Sequence, residues 1–243
     1  MTSQPPNPIP PTAPEFYDEH YYARQLHARH WFRNNEAKFR ERWQAVLQRL
    51  ALAPDDVVVD LGCANGEHTL RFAGLVRRAI GIDFSEAAVR LARQRADAAG
   101  SRAEFMQTDV ARLEAIASGS VHKVAALDLV EHIEDDTLDA ALAEVWRILA
   151  PGGRFVFYTP SASHYVERLK ARNLVLRQLP GHIAVRDAAA YRRALSAQPW
   201  ASVEISHLPS SYPVFGWIDR LLMRLPGVGG LFRFRICGMA RKA

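Results

Sequence analysis

The sequence predicts an α/β fold: seven strands in a mostly parallel sheet, the last antiparallel, with helices on both faces and an N-terminal helical addition. Three observations predict it. Five short runs rich in branched and aromatic residues alternate with four helical stretches between residues 57 and 159. The runs are largely apolar, as strands buried on both faces of a parallel sheet must be. A glycine-containing loop closes the first run, where an open α/β sheet presents its ligands.

The first run is VVVDL (57–61), followed after Gly and Asn by a helical stretch at 67–76. AIGID (79–83) precedes a helix at 85–99, with Ser85 as N-cap and Gly100 as its stop. AEFMQ (103–107) precedes a helix at 110–117, and KVAALDL (123–129) one at 136–149. Pro151-Gly152-Gly153 turns the chain into RFVFYT (154–159). Beyond Pro160 helices are expected at 163–178, 187–196 and 214–225, with strands at 202–208 and 232–240 pairing antiparallel at one edge.

Upstream, residues 15–53 place aromatic and apolar side chains at helical spacing, which reads as a helical lid. Trp31-Phe32-Arg33 is a candidate for its closing edge. Residues 1–14 hold six prolines, cannot pack a core and read as a disordered tail. They lack the basic and apolar regions of a signal peptide. The methyl-rich, ordinary composition (49% hydrophobic, 23% charged) excludes a disordered or membrane-spanning chain. Two distant cysteines, Cys63 and Cys237, make neither a disulfide framework nor a zinc site, and a cytoplasmic location is expected.

In the loop Asp60-Leu61-Gly62-Cys63-Ala64-Asn65-Gly66, the glycines let backbone approach a ligand without an intervening Cβ. The helix that follows favours a carboxylate at its N-terminus. Asp83, at the end of the second strand, suits two ribose hydroxyls; Phe84 suits an adenine face, and Asp109 an adenine amino group.

In order, DLGCANG, GID, QTD, LDLVEHIEDD and LAPGGRFVFYTP resemble the motif set of class I S-adenosylmethionine-dependent methyltransferases, across residues 60–160. The resemblance implies a Rossmann-like sheet, S-adenosylmethionine as cofactor and S-adenosylhomocysteine as product. It places Cys63, Val110 and Leu127 with Asp60, Gly62, Ala64, Gly66, Asp83, Phe84 and Asp109 around that cofactor. Ala64 departs from the family's middle glycine. The G-x-G-x-x-G of nicotinamide-dependent oxidoreductases is absent.

Within that class the chain is most similar to ubiquinone-biosynthesis O-methyltransferases, through Asp128-x-x-Glu131-His132 and the segment from Pro160 to Gly181-His182. Arg42, twenty residues before Gly62, stands where that family has an arginine near the methionine end of the cofactor. The likeness implies a divalent metal such as Mg²⁺ on Asp128, Glu131, His132 and His182, with Asp128 one methylene shorter than the family's glutamate. Without metal, His132 is the expected general base and Glu131 its orienting partner.

The acceptor suggested is a hydroxyl on a small molecule, lipid-linked, glycan or secondary metabolite. An amine acceptor is the first alternative, and a non-catalytic module binding S-adenosylmethionine or RNA the second. Arg, Lys and apolar residues are interleaved at 163–178 and 212–236, which suits peripheral contact at the inner membrane surface. Nucleic acid is not an expected partner, because the aromatics there mix with aliphatics instead of alternating with exposed cations.

Overall fold

The computed structural model describes residues 9–22, 36–174, 177–179, 181–210 and 213–243. Seven strands form one sheet: β1 (Val57–Leu61), β2 (Arg78–Asp83), β3 (Glu104–Gln107), β4 (Val121–Leu127), β5 (Leu149–Pro160), β6 (Trp200–Leu208) and β7 (Arg235–Lys242). Their order is β3-β2-β1-β4-β5-β7-β6, with β7 antiparallel to both neighbours and all other pairs parallel. The chain therefore reverses its winding between β1 and β4, and the carboxyl ends of those strands border a crevice.

The helices are α1 (Glu36–Leu50), α2 (Glu67–Ala73), α3 (Glu86–Ala98), α4 (Asp135–Ile148), α5 (Tyr165–Ala171), α6 (Ala188–Leu195) and α7 (Pro213–Leu222). Strand alternation assigns the two faces. Val57, Val59 and Leu61 pack toward α4 and α6, joining Leu142, Val145, Tyr191 and Leu195 in one core. Val58, Ala125 and Val156 face the other way, against Val46 and Leu50 of α1 and Phe72 of α2. Complete burial of a side chain such as Phe72 contributes about 2–3 kcal/mol.

Four expectations change. No helix forms at 110–117, which runs as turns. The Leu113 amide donates to the Glu144 carboxylate, and Arg147 donates to the carbonyls of Leu113 and Ile116. Side chains of α4 thus satisfy backbone groups that a helix would have paired internally. The helix expected at 163–178 stops at Ala171, where Asn173 turns the chain with φ of 52°. The last strand starts at Arg235, because residues 229–232 form a 3₁₀ turn. Finally, α1 is no lid: Val46 and Leu50 are wholly buried against the sheet. Trp31, Phe32, Arg33 and the first eight residues lie outside the described residues.

Residues 9–22 cross the crevice. A 3₁₀ turn at Pro14–Phe16 leads into Tyr17, whose carbonyl accepts from Ser85 Oγ at 2.7 Å. Glu19 pairs with Arg90 of α3 at 2.6 Å, and Tyr22 is buried. The supposed tail therefore ends as an ordered strap that supplies Pro11 and Thr12 to the cavity wall.

Candidate active site

The loop after β1 is built by its own backbone. Gly62 and Gly66 have φ of 66° and 77°, and a Cβ at either would lie under 3 Å from Leu129 or Phe105. Ala64 takes a left-handed conformation too, with φ of 48°, a strained choice for a residue with a Cβ. Its amide donates to Asp83 Oδ2 at 2.9 Å, which joins the ends of β1 and β2. Asp83 Oδ1 accepts from the Ser85 amide, and burial raises this carboxyl.

Two expected cofactor residues do not line the cavity. Asp60 is buried behind the loop, where its Oδ2 accepts from Thr69 Oγ1 at 2.6 Å. Burial pushes its carboxyl up to about 7, against the opposing hydrogen bond from Thr69. Gly66 frames the loop from the start of α2. Both therefore shape the loop without facing the crevice.

The remaining expected cofactor residues do share one cavity of about 830 Å³: Arg42, Gly62, Cys63, Ala64, Asp83, Phe84, Asp109, Val110 and Leu127. Asp128, Glu131, His132 and His182 line the same cavity. Asp109 sits in the turn after β3 with its Oδ1 bonded to the Ala111 amide.

The residues after β4 divide into two groups. Asp128, in a left-handed conformation at φ of 52°, is bracketed by Arg42 and by Arg235 of β7, the latter at 2.9 Å. Burial alone would raise its carboxyl, but the two guanidinium groups outweigh it and hold the group at about 2. Both guanidinium groups also lie over the Tyr158 ring, at 5.6 and 5.4 Å. Asp128 is thus occupied as an ion-pair partner and stands apart from the metal-like cluster, contrary to its expected place among the ligands.

The second group is Glu131, His132 and His182, whose ligand-capable atoms lie within 4.8 Å of one another. Glu131 is fully buried; Oε2 accepts from Thr159 Oγ1 at 3.0 Å, while Oε1 has no hydrogen-bond partner. Burial and the adjacent Asp128 charge push this carboxyl up to about 8. His182 Nδ1 is likewise buried without a partner, and burial with the neighbouring His132 holds its ring down at about 4. Burial also lowers His132, so both imidazoles are neutral at pH 7.

Glu131 does not orient His132 as expected, since its bonded oxygen faces Thr159. Tyr17 takes that place, with its hydroxyl 3.3 Å from His132 Nδ1. Burial raises the Tyr17 phenol, so the hydroxyl keeps its proton. Its ring also lies 5.4 Å from Phe84, so one residue touches both Phe84 and His132. Sequence reasoning missed Tyr17 and Arg235. The only signal for the first was the dense aromatic cluster Phe16, Tyr17, Tyr21, Tyr22, which read as helix packing.

An open sheet of this order, a left-handed loop at the switch point and an acid closing β2 form the crevice in which a doubly wound α/β fold holds its ligand. Residues 58–153 match the family described as methyltransferase domain. It is 33% identical over 134 residues to a probable S-adenosylmethionine-dependent methyltransferase of Mycolicibacterium smegmatis, covering 54% of this chain and 46% of that one. It is 29% identical over 127 residues to the ubiquinone biosynthesis O-methyltransferase of Nitrosococcus oceani, covering 51% and 52%. The chain thus spans about half the length of these curated relatives. Geranyl diphosphate C-methyltransferase of Streptomyces coelicolor, solved with Mg²⁺ and S-adenosyl-L-homocysteine, shares the fold at a TM-score of 0.62 and 19% identity, covering 84% of this chain and 76% of that one.

Proposed function

We propose that the protein transfers the methyl group of S-adenosylmethionine to a hydroxyl oxygen of a small, largely apolar acceptor. The observation that carries the oxygen assignment is the Glu131–His132–His182 cluster on the wall facing the cofactor loop. Asp83 would take the cofactor's ribose hydroxyls, Phe84, Asp109 and Val110 would hold its adenine, and Arg42 its methionine end. The sulfonium is already activated, so alignment of oxygen, methyl carbon and sulfur supplies much of the rate. The acceptor oxygen bonds the methyl carbon, the carbon–sulfur bond breaks, and sulfur keeps the electron pair as S-adenosylhomocysteine. Without a cation, His132, neutral and buried, takes the hydroxyl proton. Tyr17 holds the imidazole in place for that transfer.

A divalent cation fits this donor set. Glu131 Oε1 and His182 Nδ1 are buried polar atoms without partners, and both imidazoles are neutral, as ligands must be. Glu131, His132 and His182 would hold the ion; Asp128 would not. A cation bound there would lower the pKa of a hydroxyl beside it.

His132→Ala is expected to cut turnover roughly a hundredfold and leave S-adenosylhomocysteine affinity unchanged. The assay is transfer of labelled methyl from S-adenosylmethionine to a panel of phenols and their amine analogues. Transfer to amines alone, or full activity in the variant, would overturn the oxygen assignment.

A further inference from the structure

Helix α7 is firmly docked on one side and bare on the other. Asp219 is buried, and its carboxylate accepts from the Ser210 amide at 2.8 Å and faces His164 Nε2 at 3.5 Å. A Cβ on Gly216 would lie 2.1 Å from the Ser210 carbonyl, so the helix rests directly on the preceding chain. The outward face is thereby fixed in direction.

That face is apolar. Trp217 and Leu221, four positions apart on the helix, share it and are 65% and 58% exposed; Leu225 and Val228 follow in the turns beyond, at 46% and 47%. A run of exposed apolar side chains of this kind marks a contact surface. Its charge has one sign. From Ser210 to Phe234 the chain carries the exposed Arg220, Arg224 and Arg233 against a single acid, the buried Asp219.

The run lies at the ligand end of the sheet. The 3₁₀ turn after it leads into Arg235, which opens β7, pairs with Pro160 at the end of β5 and lines the cavity. Leu179, 53% exposed, brings a further apolar side chain to the cavity wall.

We propose that the outward face of α7 and the turn after it rests on an anionic lipid surface, so that the apolar acceptor enters the cavity from the bilayer. The second half of this proposal rests on the methyl-transfer reading above; the docking itself does not. An indole and leucines beside arginines suit the headgroup boundary, where the cations meet lipid phosphate and the apolar run enters the acyl edge. A second copy of the chain suits this face less well. Two-fold pairing would bring Arg224 of each copy toward the same cationic surface of the other. No helix among the described residues is long and apolar enough to cross a membrane, so the contact is with a surface.

The test is co-sedimentation of the full chain with vesicles of phosphatidylcholine alone or mixed with phosphatidylglycerol. Binding to the anionic vesicles should be at least tenfold stronger and should weaken with salt. The Trp217→Ser/Leu221→Ser double variant should lose at least tenfold in vesicle affinity, and Arg224→Glu should lose several-fold. Both should bind S-adenosylhomocysteine as the wild type does, which verifies folding. Wild-type protein that ignores anionic vesicles, or a double variant that binds them equally well, would overturn the proposal. A wild-type dimer that the double variant converts to monomer, without vesicle binding, would assign the face to a second copy instead. Vesicle binding without S-adenosylhomocysteine binding would leave the docking intact and sink the methyl-transfer reading.

Discussion

At the residue scale, the balance of burial against neighbouring charge sets the chemistry of the candidate site. Glu131 and Asp128 are three positions apart and carry the same functional group. Two guanidinium groups hold Asp128 at about 2, whereas burial and the Asp128 charge raise Glu131 to about 8. Paired acids split in this way leave one as a fixed anion and the other able to take up or release a proton near neutral pH. Tyr17 is the residue whose removal best separates positioning from folding. Tyr17→Phe keeps the ring packing but deletes the hydroxyl at His132, and a net hydrogen bond of about 1 kcal/mol corresponds to a roughly fivefold loss in kcat. S-adenosylhomocysteine affinity should be unchanged in calorimetry; equal losses in both would make Tyr17 a general structural residue.

Asp60 carries a pH dependence of stability at the same scale. Its folded carboxyl sits at about 7, above an ordinary carboxylate, so between about pH 4 and about pH 7 the folded chain binds the extra proton. Stability on this account is fully present below that window and declines as pH rises through it. Asp60→Asn should flatten the decline by an amount of order 4 kcal/mol, measured by urea unfolding at acidic and alkaline pH. Parallel curves for the two proteins would refute the assignment.

At the scale of elements, the strands were legible because burial on both faces leaves little room for polar residues. VVVDL, AIGID and KVAALDL are strands within two residues of the ends expected. Ser85 and Asp187 cap helices by accepting from the amides of Ala88 and Ala190, as short polar residues before apolar periodic runs do. Residues 110–117 misled for a physical reason. Val110, Leu113 and Ile116 are buried at helical spacing, yet their backbone is tied to Glu144 and Arg147, more than thirty positions away. Periodicity reports burial, and a turn held from outside can bury the same positions. Glu144→Ala should therefore cost about 2 kcal/mol, as for a charge-assisted bond to backbone, and should speed amide exchange at Leu113. Unaltered exchange there would show that the turn holds itself.

At the scale of the whole molecule, the motif order from Asp60 to Pro160 carried the fold and much of the cavity's lining, because the ligand crevice of an open sheet is bordered by consecutive strand ends. The acceptor wall was less legible. It draws on Tyr17 in the N-terminal strap, His182 beyond β5 and Arg235 at the start of β7, which only the folded chain brings together. Arg235 in particular reaches Asp128 across 107 positions of sequence, on the one antiparallel strand of the sheet. Spacing rules do not extend over such distances, so the pairing that occupies Asp128 with two guanidinium groups was invisible beforehand.

Calorimetric titration of the full chain with S-adenosylhomocysteine tests the central claim most directly. Saturable binding in the micromolar range or tighter, abolished by Asp83→Ala in a variant that remains folded, is the predicted result. No binding by folded wild-type protein would contradict the claim that this crevice is the seat of an S-adenosylmethionine-dependent methyl transfer.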